Sequence, residues 1–288
     1  MSRDIKKLFI KNSLMKYRIG IVGFGFVGES QAFAFAPTAD IKVFDIDETK
    51  RTHSLEETLL QDFVFVCLPT PMKKNGTQDL SIIDNFFANV PGRYNPTFIL
   101  KSTVLPGTTD MLRNKYNLNI VFCPEFLTEK TAKLDMLTQA RIVIGGKSSL
   151  CEKVKGLFES RFGKKHYVMT DSNSAEFVKY MANNFLTVKT AFMNEYYDLV
   201  MKVGGDWNDV VEGFVADPRI GNSHTSVPGH DGKRGFGGTC FPKDINAIIE
   251  FSQEYNVPMK TLEGAWETNL RVRPEQDWNE LKGRAVSE

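Results

Sequence analysis

Short apolar runs alternate with longer amphipathic stretches through the first 170 residues. The runs have strand length, are rich in β-branched residues, and occupy residues 17–23, 41–45, 63–68, 97–103, 119–124 and 141–146. Such near-continuous hydrophobicity is typical of strands buried on both faces of a sheet. Helical patterns lie between them, at 81–90 and 148–162 for example, and residues 45–63 leave room for one small helix. The alternation predicts an α/β fold with a parallel, doubly wound sheet, the Rossmann arrangement.

The pattern changes after residue 170, and residues 172–205 are predicted to form one long helix. Asn173 can cap this helix, with Glu176 three residues later completing a capping-box pattern, and a glycine pair ends it. Further helical patterns cover about 206–215, 243–255 and the stretch from residue 258. The sequence therefore predicts two domains: residues 1–171, including a short N-terminal extension 1–16, and an all-helical domain over 172–288.

Composition narrows the function classes. The chain has 288 residues, with 36 basic and 35 acidic side chains and a net charge of +1, so no basic excess favours nucleic acid. No segment reaches the roughly 18 uninterrupted apolar residues of a membrane span, and residues 1–16 make a poor signal peptide. The four cysteines form no CxxC pair, which argues against a metal site. We expect a reduced, cytoplasmic protein without membrane or nucleic-acid partners.

A glycine loop, Gly23–Gly28, directly follows the first strand and opens a helix. In such a loop the first glycine makes the tight turn, the second lets the backbone approach a pyrophosphate, and the third lets helix and strand pack closely. Asp45 ends the next strand, where a carboxylate binds the ribose hydroxyls and repels a 2′-phosphate. The loop predicts NAD rather than NADP, although Lys50 or Arg51 could accept that phosphate.

A second group of polar residues lies outside the glycine loop. Lys179 and Asn183 stand one turn apart on the long helix and could donate hydrogen bonds to one oxyanion, although a lone helix lysine is more often a solvated charge. Thr70 and Thr103 follow strands, at the sheet edge where ligands bind, or are turn residues. Glu129 follows Glu125 by one turn and could simply favour a helix dipole.

Five separated motifs then occur in order: KSTVLPG, PEFLTE, FVKYMANN, DPRIGN and GFGGTCFPKD. Together they resemble the UDP-glucose 6-dehydrogenases within the UDP-glucose/GDP-mannose dehydrogenase family, from about residue 17 to the C-terminus. The resemblance implies oxidation of the C6 alcohol of a nucleotide sugar to an acid with two NAD molecules. A cysteine adds to the intermediate aldehyde, the adduct is oxidised to a thioester, and water releases the acid.

The resemblance also implies roles for individual residues. Cys240 matches the nucleophile, Lys179 and Asn183 the pair that stabilises oxyanions, and Asp244 and Thr103 the residues that position water or move protons. One of Glu125 and Glu129 is the hydrolytic base, and the sequence does not choose between them. The implied cofactor contacts are Gly23, Phe24, Gly25, Phe26, Val27, Gly28, Asp45, Lys50, Thr70, Ser102, Thr103, Glu129 and Lys243. The implied substrate contacts are Glu125, Phe126, Leu127, Lys179, Asn183, Arg219, Gly235, Phe236 and Gly237.

Several alternatives stay open at this stage. The resemblance implies a homodimer built on the long helix, with Arg219 reaching the neighbouring subunit's site. UDP-glucose is the expected substrate, and GDP-mannose and UDP-N-acetylmannosamine are the near alternatives. The family's second nucleotide-binding domain is absent after the last helix, so the chain is expected to be either a minimal protein or a fragment. Two other hypotheses are a non-catalytic nucleotide-binding module and a β-hydroxyacid dehydrogenase. Cys240 argues against the second, since that enzyme needs no catalytic cysteine.

Overall fold

The computed structural model describes residues 17–287 and divides them into two compact units. We call residues 17–69 and 81–177 the sheet unit, and residues 70–80 and 178–287 the helical unit. The predicted extension 1–16 lies outside the described residues. The sequence placed a single boundary at 171/172, whereas the units divide within the long helix, after Phe177, and a short internal segment groups with the second unit.

Seven strands form the sheet, in the spatial order β2-β1-β3-β4-β5-β6-β7. Their bounds are β1 Tyr17–Val22, β2 Ala39–Phe44, β3 Phe63–Val66, β4 Thr97–Leu100, β5 Ile120–Phe122, β6 Arg141–Gly145 and β7 His166–Thr170. The chain moves outward from β1 to β2 and then returns to β3 on the other side of β1. Ligands bind outside the carboxyl ends of strands at such a switch point, so the glycine loop after β1 stands at the expected place.

The helices of the sheet unit lie between these strands. They are α1 Phe26–Phe35, α2 Leu55–Leu59, α3 Ser81–Ala88, α4 Thr108–Tyr116, α5 Ala132–Thr138 and α6 Ser148–Phe162, with a short 3-10 turn at Glu129–Thr131. Phe35 and Phe158 pack edge to face with ring centroids 5.3 Å apart, and Phe65 of β3 contacts both. All three rings are fully buried. The continuous hydrophobicity of β3 thus reflects burial on both faces, as the sequence predicted.

Two features of the sheet differ from the prediction. Strand β6 pairs antiparallel with β5, through Phe122 and Gly145, so the sheet is mostly rather than wholly parallel. Strand β7 was not among the predicted apolar runs; it is parallel to β6 and only partly buried. An edge strand has a neighbour on one side only, so its sequence need not be continuously apolar.

The long helix, α7, extends over Ser172–Val203. Its N-terminus differs from the prediction: the carboxylate of Asp171 accepts the backbone N–H of Ser174 at 2.9 Å and its hydroxyl at 2.7 Å. Asp171 is therefore the cap, two residues before Asn173. Glu176 takes no part in a capping box, because its carboxylate accepts hydrogen bonds from another loop.

The helical unit combines the rest of α7 with α8 Trp207–Val215, α9 Phe241–Glu254 and α10 Lys260–Val272, followed by a 3-10 turn at Asp277–Glu280. Residues 70–80 join this unit through a short bridge to the end of the described chain. Met72 donates its N–H to the carbonyl of Ala285 and accepts from the N–H of Ser287, each at 2.8 Å. These backbone bonds explain why the segment groups with the second unit although it lies between β3 and α3.

Close packing at the end of β6 generates a stability prediction. A Cβ on Gly145 would lie 2.3 Å from the Cβ of Ala175 and 2.8 Å from the carbonyl oxygen of Asp171. Because backbone and a helix must shift to accommodate it, we expect Gly145→Ala to lower the free energy of unfolding by about 1–3 kcal/mol. Urea denaturation followed by circular dichroism measures this change.

Gly156, inside α6, is the matched control. A Cβ there meets nothing within 4 Å, and alanine is the better helix former, so Gly156→Ala should stabilise by about 0.5–1 kcal/mol. The packing argument is wrong if the two substitutions change stability in the same direction.

Candidate active site

The glycine loop between β1 and α1 has the shape that a dinucleotide phosphate requires. Gly23 has φ +88°, and a Cβ on it would lie 2.6 Å from the carbonyl oxygen of Cys67. A Cβ on Gly28 would lie 2.1 Å from the carbonyl oxygen of Gly23, whereas Gly25 is exposed with nothing within 4 Å. The turn and the helix packing therefore need Gly23 and Gly28, and Gly25 leaves the N-terminus of α1 open to an anion.

Asp45 ties the end of β2 to this loop. Its Oδ2 accepts the backbone N–H of Phe24 at 2.6 Å, and its Oδ1 accepts the N–H of Asp47 at 2.9 Å. The carboxylate is half-buried, and each oxygen retains further acceptor capacity. Lys50 is exposed and forms an ion pair with Asp47 at 3.1 Å, so its predicted cofactor contact stays a prediction.

Two polar loops follow β4 and β5. Ser102 donates its hydroxyl to the carbonyl of Leu68 at 2.6 Å, and Thr103 beside it is buried. Glu125 is also buried, and its Oε2 accepts the N–H of Leu127 at 2.6 Å. Glu129 is exposed at the start of the 3-10 turn. The two glutamates that the sequence could not rank thus have different surroundings, and only Glu125 is shielded from water.

The sequence missed a buried cation, Lys101, that links these two loops. Its Nζ donates to the carbonyl of Pro124 at 3.1 Å and lies 3.6 Å from the sulfur of Cys123. The residue is 3% exposed. Lysine is rarely buried without partners, and its position next to Ser102 in the motif was the available signal. Lys101 fixes the backbone immediately before Glu125.

A separate group of predicted residues lies in the helical unit. Cys240 is half-buried and stands immediately before α9, whose first residue is Phe241. Asp244, one turn into α9, has no exposed surface. Its Oδ2 accepts from Asn183 at 2.6 Å and its Oδ1 accepts from Lys243 at 2.5 Å, while its N–H donates to the carbonyl of Cys240 at 3.0 Å. These contacts attach the N-terminus of α9 to α7.

Lys179 lies one turn before Asn183 on α7, and both are buried, at 3% and 7% exposure. Their spacing puts them on the same side of the helix, as the sequence predicted. Lys243 is bound to Asp244, so its predicted contact with the cofactor stays a prediction. The same holds for Thr70, which is buried in the segment 70–80 of the helical unit.

The loop before Cys240 is held by side chains that the sequence analysis missed. The amide of Asn269 on α10 accepts the N–H of Phe236 at 2.7 Å and donates to its carbonyl at 3.0 Å. Arg273, one turn later and 2% exposed, forms ion pairs with Asp231 and Asp277 at 2.7 Å. A Cβ on Gly235 or Gly237 would collide with these side chains. The four-residue spacing of Asn269 and Arg273 could have indicated a common helix face.

Arg219 follows the short helix α8 and is well exposed. Its guanidinium binds both carboxylate oxygens of Asp217, with Nε at 2.9 and 3.0 Å. The predicted reach of Arg219 into a neighbouring subunit stays a prediction.

The other three cysteines have surroundings that disfavour the thiolate. Burial raises the pKa of Cys67 to about 12 and that of Cys151 to about 11, and it raises the pKa of Cys123 as well. Free thiols are inert when they stay protonated. Across residues 17–287 no cluster of three or more histidine, cysteine or carboxylate side chains has the arrangement of a metal site. Within the same residues, no helix is long and apolar enough to cross a membrane.

Comparisons with known proteins agree with both units. Residues 50–160 match the NAD binding domain of the UDP-glucose/GDP-mannose dehydrogenase family, and residues 173–271 match its central domain. UDP-glucose 6-dehydrogenase of Campylobacter jejuni is 30% identical over 290 residues, which cover 88% of this chain and 72% of that protein. The chain belongs to the UDP-glucose/GDP-mannose dehydrogenase family. The matched NAD-binding domain also establishes NAD as the cofactor.

Further relatives give the same assignment and show a difference in length. UDP-glucose 6-dehydrogenase TuaD of Bacillus subtilis is 28% identical over 300 residues, and the chain spans 63% of that protein. The solved structure of a UDP-glucose dehydrogenase from the archaeon Pyrobaculum islandicum is 25% identical with a TM-score of 0.78. That match covers 89% of this chain and 68% of the archaeal one. The family members that the chain matches are therefore longer than the chain.

The contrast among the cysteines generates a labelling prediction. Cys240 is half-buried immediately before the N-terminus of α9, a position typical of reactive cysteines, whereas burial raises the pKa of the other three thiols. With a small excess of iodoacetamide at pH 8, we expect Cys240 to be modified at least about 10-fold faster than the others. Peptide mass spectrometry over time measures each rate.

Cys240→Ser is the control, since it should remove the fast phase and leave the slow ones unchanged. Modification of Cys67 as fast as Cys240 would contradict the assignment of the reactive thiol.

Proposed function

We propose that the chain catalyses the NAD-dependent, four-electron oxidation of a nucleotide sugar's C6 alcohol to a carboxylate, with UDP-glucose as the first-choice substrate. The main support is the group around Cys240, in which a half-buried thiol stands at a helix N-terminus. Buried donors on α7 belong to the same compact unit. A two-electron dehydrogenase does not need a nucleophilic thiol, whereas an aldehyde gives up a second hydride only after a nucleophile has added to it, and a thiolate is well suited to that addition.

The proposed residue roles follow the chemistry. NAD, when bound, accepts the hydride in each oxidation. The thiolate of Cys240 adds to the aldehyde carbon, which makes a C–S bond and places the negative charge on the aldehyde oxygen. The ammonium of Lys179 and the amide of Asn183 stabilise that oxyanion. After the second oxidation the carbon is a thioester, and attack by water releases the carboxylic acid and restores the thiol.

The hydrolytic step needs a base, and the two glutamates can now be weighed. We assign this role to Glu125, because it is buried and its carboxylate is oriented by the N–H of Leu127. Glu129 is exposed, and we retain for it only the implied contact with the cofactor. Asp244 holds Asn183 and Lys243 in place and is the group through which protons or water are positioned near Cys240.

The alternatives differ in what they predict with a panel of substrates. GDP-mannose and UDP-N-acetylmannosamine dehydrogenases would show the same two NADH per acid with another nucleotide sugar. A β-hydroxyacid dehydrogenase would yield one NADH from a small hydroxy acid and would not need Cys240. A non-catalytic nucleotide-binding module would bind NAD or a nucleotide sugar and produce no NADH.

Stoichiometry after substitution of the thiol is the decisive test. The first hydride leaves the alcohol directly, so it does not need Cys240, whereas the second requires the adduct. We expect two NADH per acid for the native chain, and at most about one NADH per site, with little acid, for Cys240→Ser. Single-turnover absorbance with mass spectrometry of the sugar product measures both quantities.

Cys151→Ser serves as the control, since that thiol is buried in the sheet unit and should not affect the two-to-one ratio. Sustained acid formation by Cys240→Ser at the native rate would show that the thiol is structural.

We further propose that the chain is a homodimer whose core is α7. This helix exposes an apolar stripe, which consists of Phe177, Met181, Phe185, Phe192, Tyr196, Leu199 and Val203. Met181 and Phe185 are 70% and 67% exposed. A row of large apolar side chains at spacings of three, four and seven along a 32-residue helix is typical of a helix that packs against a partner.

Two charges placed in this stripe test the dimer. The double substitution Met181→Glu and Phe185→Glu should yield a monomer at micromolar concentration, because two carboxylates would be buried without partners. Light scattering measures the mass. Lys164→Glu, on an exposed loop of the sheet unit, makes the same change of two charges and should leave the mass unaltered. A native monomer with full activity would overturn the proposal.

A further inference from the structure

A fully buried carboxylate on α7 binds the loop between β4 and α4, which also carries the predicted site residues Ser102 and Thr103. Glu176 has no exposed surface. Its Oε2 accepts the N–H of Gly107 at 2.7 Å and its Oε1 accepts the N–H of Thr109 at 2.8 Å. All three residues belong to the sheet unit, so these contacts lie within one compact body.

The receiving loop cannot supply these acceptors itself. Gly107 is the N-cap of α4, has φ +93° and carries no side chain, so it cannot accept the free N–H groups of the first turn. Such groups need an acceptor from a side chain, water or ligand. Glu176 provides both oxygens from another helix, and each binds a different N–H. The end of the loop that follows β4 is thereby fixed at two points.

The other end of the same loop carries Ser102 and Thr103. Ser102 is bound to the carbonyl of Leu68, and Thr103 and Val104 are buried. Only three residues, Val104–Pro106, separate Thr103 from Gly107. A change in the position of Gly107 therefore reaches the Thr103 hydroxyl through a short, packed segment.

We propose that Glu176 is a positioning residue whose ionised carboxylate fixes the β4–α4 loop and thereby the hydroxyl of Thr103. The catalytic use of Thr103 rests on the proposed function, whereas the anchoring of the loop does not. Protonation converts one carboxylate oxygen into a donor. A neutral Glu176 is consequently a weaker acceptor for the two N–H groups and holds the loop less firmly.

Burial above all brings the protonation of Glu176 near neutral pH. Burial raises the pKa of Glu176 to about 7, hydrogen bonds from Thr109 and Gly107 oppose that rise, and the carboxylate of Asp110 on α4 adds to it. Arg113 donates to Asp110 at 2.7 Å and to the hydroxyl of Ser172 at 3.4 Å. Asp171 is bound to Ser174 at the start of α7. Asp110 is therefore the charged neighbour whose removal should move the titration.

Stability and loop order should respond to pH in opposite directions. A carboxyl whose pKa is about 7 in the folded protein and about 4.5 in the unfolded chain contributes most to stability below pH 4.5. That contribution is lost as the pH rises towards 7. The loop, in contrast, is held best at high pH, where Glu176 is ionised. General acid unfolding would weaken both together, so the opposite signs identify this residue.

The test is amide hydrogen exchange at Gly107 and Thr109 between pH 5.5 and 8.5, corrected for intrinsic rates, with NAD absent. In the native chain we expect protection to increase with pH, with a midpoint near 7. Glu176→Gln keeps the size but offers one acceptor and one donor group, so protection should be low and independent of pH. Glu195→Gln, on the same helix, is the control and should behave as the native chain.

A second variant covers the case in which Glu176→Gln does not fold. Asp110→Asn removes the neighbouring negative charge, and it should move the midpoint of the native titration to lower pH while both bonds remain. An unchanged midpoint in Asp110→Asn, or full protection in Glu176→Gln, would overturn the anchoring.

Activity is measured separately so that the two proposals can fail independently. We expect Glu176→Gln to lower kcat for the nucleotide sugar by at least about 10-fold with little change in KM, and to flatten the rise of kcat through pH 7. A native kcat profile in a variant with an exchanging loop would refute the positioning role. If the native chain oxidises no nucleotide sugar, the proposed function fails, and the exchange data still decide whether Glu176 anchors the loop.

Discussion

The buried carboxylate of Asp244 is the constraint on which the helical unit's site depends. A fully buried carboxylate is tolerated only where paired donors compensate for its lost hydration. Lys243 and Asn183 supply those donors, one from the same helix and one from α7. Because the pairing cannot be broken without leaving an uncompensated charge, it fixes the N-terminus of α9 against α7. Cys240 directly precedes that N-terminus and lies one helical turn before Asp244. The contacts of Asp244 therefore also fix the position of the thiol.

The sheet unit uses the same principle on the backbone. Asp45 accepts the N–H of Phe24 before α1 and that of Asp47 in the loop after β2, and Glu176 accepts the N–H groups of Gly107 and Thr109 at the start of α4. Lys101 performs the complementary task and donates to a carbonyl after β5. Charged side chains thus hold the backbone of several loops that follow the strands of this sheet.

Much of the sheet could be predicted because burial on two faces leaves a continuous apolar signature, as in β3. The direction of β6 could not, since it depends on how the short connection through α5 returns to the sheet. The cap of α7 was assigned to Asn173 because four consecutive polar residues, 171–174, can all cap a helix, and only the fold shows which one does. Cys240, Asp244, Lys179 and Asn183 were found from motifs. Asn269 and Arg273 were missed because a polar residue in an amphipathic helix, or directly after one, usually faces solvent.

The glycines before Cys240 are required by neighbouring side chains of the protein, apart from any access that they give to a ligand. The amide of Asn269 leaves no room for a side chain at Gly235, and the guanidinium of Arg273 leaves none at Gly237. A loop can therefore be rich in glycine because neighbouring side chains leave no room for a Cβ, as well as because a ligand approaches the backbone. The sequence alone does not distinguish these two causes. A larger residue at Gly235 or Gly237 would therefore require a matching change at Asn269 or Arg273. Substitutions in the loop and at these two side chains should therefore depend on one another, although more than 30 residues separate them along the chain.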